Sequence, residues 1–306
     1  MGQNLGVVRS LWPEKWQNIY GDTYLSGTFG PNRIVPGMAS FFSFVFSIFI
    51  NYSSIKKMMS LKFNILNFIN LLTLPIIIIL SSSKTSIITT LIFIIFIFIF
   101  INKVHYLFLY TIIFLIFLTI LPSKIKERIE FVYEDRFEKY YDKNNLPQDN
   151  SSNALIDIYK AQGTGRYEIA LKYISELKKN PLILLIGSGI NNRALLIGDS
   201  SHNMYLSLLG ELGIIGFILY LLWLKTLFEK NDTTLSSNYY LNKNEYFLKN
   251  IKTSFCISII ISLFFGEHLY IYRTSYGLLG MFLIFIIIFN QLIFYERTNS
   301  HCNSLL

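Results

Sequence analysis

Residues 91–101 read LIFIIFIFIFI, eleven apolar side chains in a row. A soluble domain has nowhere to hide such a run. A bilayer accepts it as part of a helix of roughly 17 to 25 apolar residues, with every backbone group bonded inside the segment. The run is one of seven, at about 35–54, 63–81, 86–102, 105–121, 204–224, 252–271 and 276–295, and hydrophobic residues make up 52% of the 306-residue chain. The expectation is an all-α polytopic membrane protein with about seven transmembrane helices and one large external loop that itself contains helices.

Charge orients the segments. Lys56, Lys57, Lys62, Lys103, Lys225, Lys230, Lys243, Lys249 and Arg297 fall in one set of alternate connections, and the opposite set holds only Lys84 and Arg273 in its short turns. By the positive-inside rule the first set is cytoplasmic. The net charge of +8 is therefore read as topological, and no nucleic-acid partner is expected. The resulting division is an external N-terminal segment (1–34), four transmembrane helices (35–121), a large external loop (122–203), three more transmembrane helices (204–295) and a cytoplasmic tail (296–306). Residues 1–34, with Trp12 and Trp16 spaced to share a membrane interface, read like a loop, so helices are expected upstream of Met1 and the chain is read as N-terminally truncated. Cys256 and Cys302 lack metal-ligand or disulfide spacing.

That topology gathers Arg33, Lys84, Arg166, Arg193, His202, Glu267, His268 and Arg273 at the outer face. Arg166 stands at the N-terminal end of a helical stripe formed by Ile169, Ala170, Tyr173, Ile174 and Leu177, with Pro181 beyond it. A cation on an apolar face needs an anion, either a local carboxylate or a ligand phosphate matched to the guanidinium fork. Lys84 opens a helix whose dipole disfavours it, so it either meets a bound anion or snorkels into headgroups. Asp199, Ser200 and Ser201 are N-cap types, which makes His202 the first residue of the next helix, where the dipole would keep the imidazole neutral. Gly210, Gly213 and Gly216 form a small-residue strip for close packing. Glu211, inside the same span, is either structurally paired or functional. Glu267, His268 and Arg273 are weaker supporting candidates.

The segment HNMYLSLLGELGIIG is similar to the histidine motif of the O-antigen ligase and polymerase family, in which ten residues separate a histidine from a glycine, here His202 and Gly213. GTGRYEIALKYI with NPLILLIGSGINN resembles the arginine-bearing helix and glycine turn of that family's large loop. SSSKTSIITTLIFI and GTFGPN resemble a helix start and an upstream loop motif. Lys84 stands where arginine is usual, Tyr24 where arginine is frequent, and Ala170 where the ligase pattern has leucine.

The resemblance implies a C-type glycosyltransferase architecture in the bacterial inner membrane, with the active site facing the periplasm. It implies transfer of a glycan from undecaprenyl pyrophosphate to a sugar hydroxyl with inversion and without a metal or other cofactor. His202 would act as base or acceptor-positioning group, with Arg166, Lys84 and Arg33 on the pyrophosphate and Glu211 and Gly213 supporting. Partners would be the undecaprenyl-pyrophosphate-linked oligosaccharide, membrane lipid and other polysaccharide export or chain-length proteins. Ala170 tips the expectation to a polymerase over a ligase acting on lipid A core or on protein. A flippase is the alternative of another class, against which stand the absence of an internal repeat and the one-sided clustering of polar residues.

Overall fold

The computed structural model describes residues 34–52, 61–81, 83–100, 104–136, 166–190, 192, 201–228, 243–266, 269 and 276–304. Ten helices and no strands occur among them: α1 Ile34–Tyr52, α2 Leu61–Leu80, α3 Lys84–Phe100, α4 Val104–Ile120, α5 Ser123–Arg136, α6 Arg166–Lys179, α7 Pro181–Ile186, α8 Met204–Phe228, α9 Lys243–Ser262 and α10 Tyr276–Ser304. Helices α5, α6 and α7 lie within the long 122–203 stretch. Each of the seven apolar segments has a helix at its position. Four contain stretches long and apolar enough to cross a bilayer: Ile34–Asn51, Leu61–Leu80, Met204–Leu227 and Leu278–Glu296. Lys84–Phe100 and Phe108–Ile120 are shorter. At 17 residues, α3 covers about 26 Å, slightly less than a hydrocarbon core of about 30 Å.

The sixth segment departs most from expectation. Its apolar run spans 252–271, but α9 begins at Lys243 and ends at Ser262. Its polar head resembles a connection in sequence, yet Glu245, Tyr246, Lys249, Asn250 and Lys252 each have a use in the folded bundle. Glu245 and Lys249 pair at 2.8 Å one turn apart. The Tyr246 hydroxyl and Asn250 amide donate to the Phe100 carbonyl at the end of α3, at 3.0 and 3.2 Å. Lys252 Nζ donates to Asn290 Oδ1 on α10 at 2.6 Å.

Aromatic rings from α1, α3, α9 and α10 make the core. Phe41, Phe42, Phe93, Phe255, Phe282 and Phe289 are fully buried, and Phe49 stacks on Phe289 with centroids 4.3 Å apart. Helices in lipid gain little from apolar burial against one another, so close packing and hydroxyl groups must hold them. Helices α3 and α9 pack against each other, and Ser86, Thr89 and Thr90 of α3 and Ser254, Ser258 and Ser262 of α9 are buried in the bundle. Thr89 and Thr90 donate to carbonyls of their own helix four residues back, at 2.7 and 2.8 Å, which keeps their hydroxyls satisfied.

One end of the bundle is assembled by short links. Gly37 near the start of α1 packs against Ser81 and Ser86. Thr85 Oγ1 donates to the Phe265 carbonyl at 3.1 Å, and the Met204 N–H donates to the Leu263 carbonyl at 2.9 Å. The starts of α1, α3 and α8 therefore share this end with the finishes of α2 and α9, as alternating crossings require.

Candidate active site at a broken helix

Helix α8 is interrupted at Gly213, whose φ of 65° and ψ of −176° are non-helical and belong to a region essentially reserved for glycine. A break of this kind interrupts the ladder of i→i−4 hydrogen bonds and releases carbonyls that cannot stay bare in lipid. The chain supplies partners from the long loop. Ser188 donates its N–H to the Gly210 carbonyl at 2.8 Å, and the Gly189 N–H donates to the Glu211 carbonyl at 3.0 Å. The Ser188 hydroxyl also donates to the Gly210 carbonyl, at 3.0 Å. The turn can approach this closely because Gly187 and Gly189 adopt φ of 83° and 94°, and a side chain at Gly187 would strike the Glu211 carbonyl.

Ahead of that turn, α6 and α7 lie on α8. Tyr173 and Leu177 of α6 are buried with Ile169, Ile183, Leu184, Leu206 and Leu209. The Tyr173 ring occupies the space that a side chain at Gly210 would need. Of the three glycines read as a packing strip, Gly210 thus serves close packing, whereas Gly213 serves the break. Within the expected apolar stripe of α6, Tyr173 and Leu177 are buried and Ile174 is exposed.

His202 does not begin α8. It precedes the helix by two residues in a left-handed conformation with φ of 52°. Asn203 caps the helix instead, its Oδ1 accepting the N–H groups of Tyr205 and Leu206 at 3.0 and 3.2 Å. Asn203 and the Leu263 carbonyl occupy three of the first amides of α8, so His202 stands ahead of the first turn and not in it. Ser201, expected as a cap, hydrogen-bonds to the Ser207 hydroxyl at 2.7 Å and accepts the Asn203 N–H at 3.1 Å. Asp199 and Ser200 lie outside the described residues.

Lys84 is the first residue of α3, as expected, and is half-buried. Ser83 caps that helix, its Oγ accepting the Ser86 N–H at 3.3 Å. Because Thr85 is bonded to Phe265 and Met204 to Leu263, the segments carrying Lys84 and His202 are anchored to one short turn after α9. Glu211 is buried, just before the break. Arg166 is the first residue of α6, seven residues or about 10 Å of helix from the Tyr173 contact. Arg33, Glu267, His268 and Arg273 lie outside the described residues. No three His, Cys, Asp or Glu side chains stand together as metal ligands among the described residues.

Sequence reasoning did not find the roles of Tyr173, Ser188 and Asn203. The Gly-Ser-Gly triplet after an apolar hexapeptide was a signal for a tight turn, but nothing local said what the turn would cap.

Together these features define a polytopic helical membrane protein in which the helices of a long inter-helix loop dock on a broken span. Residues 69–221, half of the chain, match a family model described as O-antigen ligase, and the chain belongs to that family. The match runs from α2 through most of α8 and includes Lys84, Arg166, His202, Glu211 and Gly213. Searches of curated proteins and of solved structures gave no match. Family membership makes the chain a membrane enzyme of the O-antigen ligase and polymerase type, acting on lipid-linked polysaccharide in lipopolysaccharide biosynthesis.

Proposed function

We propose that the chain transfers an undecaprenyl-pyrophosphate-linked glycan to a sugar hydroxyl of a second lipid-linked repeat unit, at the periplasmic face of the bacterial inner membrane, within a C-type glycosyltransferase architecture. The observation that supports this reading is the shared anchoring of the Lys84 and His202 segments at one end of the bundle. Lys84 and His202 hang on the same turn, and the helix that begins at Arg166 docks on the span that begins just after His202. Acceptor deprotonation suits His202, and the charge developing on the departing pyrophosphate suits Arg166 and Lys84, with Arg33 as a third cation. Glu211, Glu267, His268 and Arg273 have supporting roles. The left-handed backbone at His202, next to the Asn203 cap, supports a positioned imidazole.

The ligase reading, with lipid A core as acceptor, is favoured by the description of the matching family. Ala170 at the position of the ligase pattern's leucine favours the polymerase. Transfer of radiolabelled glycan by the purified full-length protein in vesicles tests both, with lipid-linked repeats and lipid A core offered separately. His202→Ala is expected to abolish transfer and Lys84→Ala to lower it. Equal transfer by wild type and His202→Ala removes His202 from the chemistry, absence of transfer by the wild type removes the enzyme reading, and lipid movement without transfer makes the protein a flippase.

A further inference from the structure

Helix α7, PLILLI, carries no charged residue. Its Ile183 and Leu184 pack inward with Tyr173, Leu177 and Leu209. The opposite face is bare: Leu182 is 66% exposed, Leu185 49% and Ile186 57%, and Ile190 just beyond the glycine turn is 53% exposed. In water this would be an apolar patch of the kind that soluble surfaces avoid. It does not stand alone. The Leu185 carbonyl lies against Gly213, so the bare face adjoins the outer surface of α8 below the break, where Ile215 is 52% exposed and Ile218 50%. That surface belongs to a span. The contact of Leu185 with Gly213 falls nine residues into α8, about 14 Å along the axis, which is deeper than headgroups for a span that starts at the boundary of the core.

We propose that α7 and its glycine turn are embedded in the bilayer, with Leu182, Leu185, Ile186 and Ile190 against lipid acyl chains, so that the long loop dips into the membrane beside the broken span. The occupant follows from adjacency, because the exposed apolar residues of α7 adjoin exposed apolar residues of a helix long and apolar enough to cross a bilayer. The backbone meets the condition for irregular structure at that depth. Gly187 donates to Ile183 at 2.8 Å, and Ser188 and Gly189 donate to α8. Preceding α7, α6 carries exposed Lys172, Lys178 and Lys179, the last paired with Glu176 at 2.8 Å, which suits the water side.

The inference does not depend on the transfer chemistry, and its test reads depth alone. Single cysteines replace Leu185, Ile186 or Ile190 in full-length Cys302→Ser protein, where the remaining Cys256 is buried. Ile218→Cys and Lys178→Cys serve as lipid and water comparators, and all are reconstituted into phosphatidylcholine and phosphatidylglycerol vesicles. Embedded positions are expected to lose reactivity toward a membrane-impermeant maleimide relative to position 178. An attached fluorophore there is expected to lose emission with doxyl-labelled phospholipid as it does at position 218. Reaction at the rate of position 178 overturns the proposal in favour of a water-exposed arm. Protection from both maleimide and lipid quencher overturns it in favour of a protein partner. The Ile190 variant, in the turn rather than the helix, decides the matter should substitutions within α7 prevent reconstitution.

Discussion

A single backbone angle pair organises this molecule's most unusual region. At Gly213 an L side chain would have to enter a conformation it avoids and would also meet the Leu185 carbonyl. Gly213→Ala is expected to cost about 1–3 kcal/mol, seen as a lower thermal midpoint in micelles. Gly210 presents a different constraint, since its backbone is helical and the obstacle is the buried Tyr173 ring. Gly210→Ala is expected to cost about 1–3 kcal/mol by overpacking. The same change in a Tyr173→Leu background should cost less, and that non-additivity in a double-mutant cycle is the signature of the contact. Both glycines were legible as members of one packing strip, and the resemblance placed Gly213 in the histidine motif as well. Spacing could not tell the break from the close contact, because it shows where a glycine stands and not what approaches it.

Among the elements, α8 and the loop arm are interdependent. The broken span exposes carbonyls that the Ser188 and Gly189 groups cover, and α7 has no packed side without α6 and α8. Ser188→Ala removes one of the two hydrogen bonds to the Gly210 carbonyl and should destabilise docking by about 1 kcal/mol. The expected reading is faster amide hydrogen exchange across α6 and α7, with the α1, α3, α9 and α10 core unchanged; uniform acceleration would mean that the bond stabilises the whole fold instead. Helix α6 was legible from its 3.6-residue stripe and from Pro181. Helix α9 was misplaced, because charge reads as a connection until Phe100 and Asn290 supply acceptors for its polar side chains.

For the whole molecule, the bundle combines an aromatic core with a few buried polar links, and those links set the relative placement of helices that lipid alone would leave free to slide. Lys252 is buried, and its ammonium donates to Asn290. Asn290→Leu should cost about 1–3 kcal/mol, since a buried cation loses an acceptor. Lys252→Met combined with Asn290→Leu should recover part of that loss, as apolar replacement of a buried polar pair often does. Unfolding in mixed micelles measures both; a double variant no better than Asn290→Leu alone would contradict the account. By itself, the chain's run of Ile and Phe dictated a membrane protein, because no aqueous fold can cover that surface, and short-range periodicity located its helices. His202, Gly213 and the helix beginning at Arg166 could be picked out by residue type and spacing. Only the tertiary structure decided that Asn203 caps α8, that Gly213 breaks it and that the loop fills the break. Those outcomes depend on which backbone groups are left without partners, and the answer lies with residues distant in the chain.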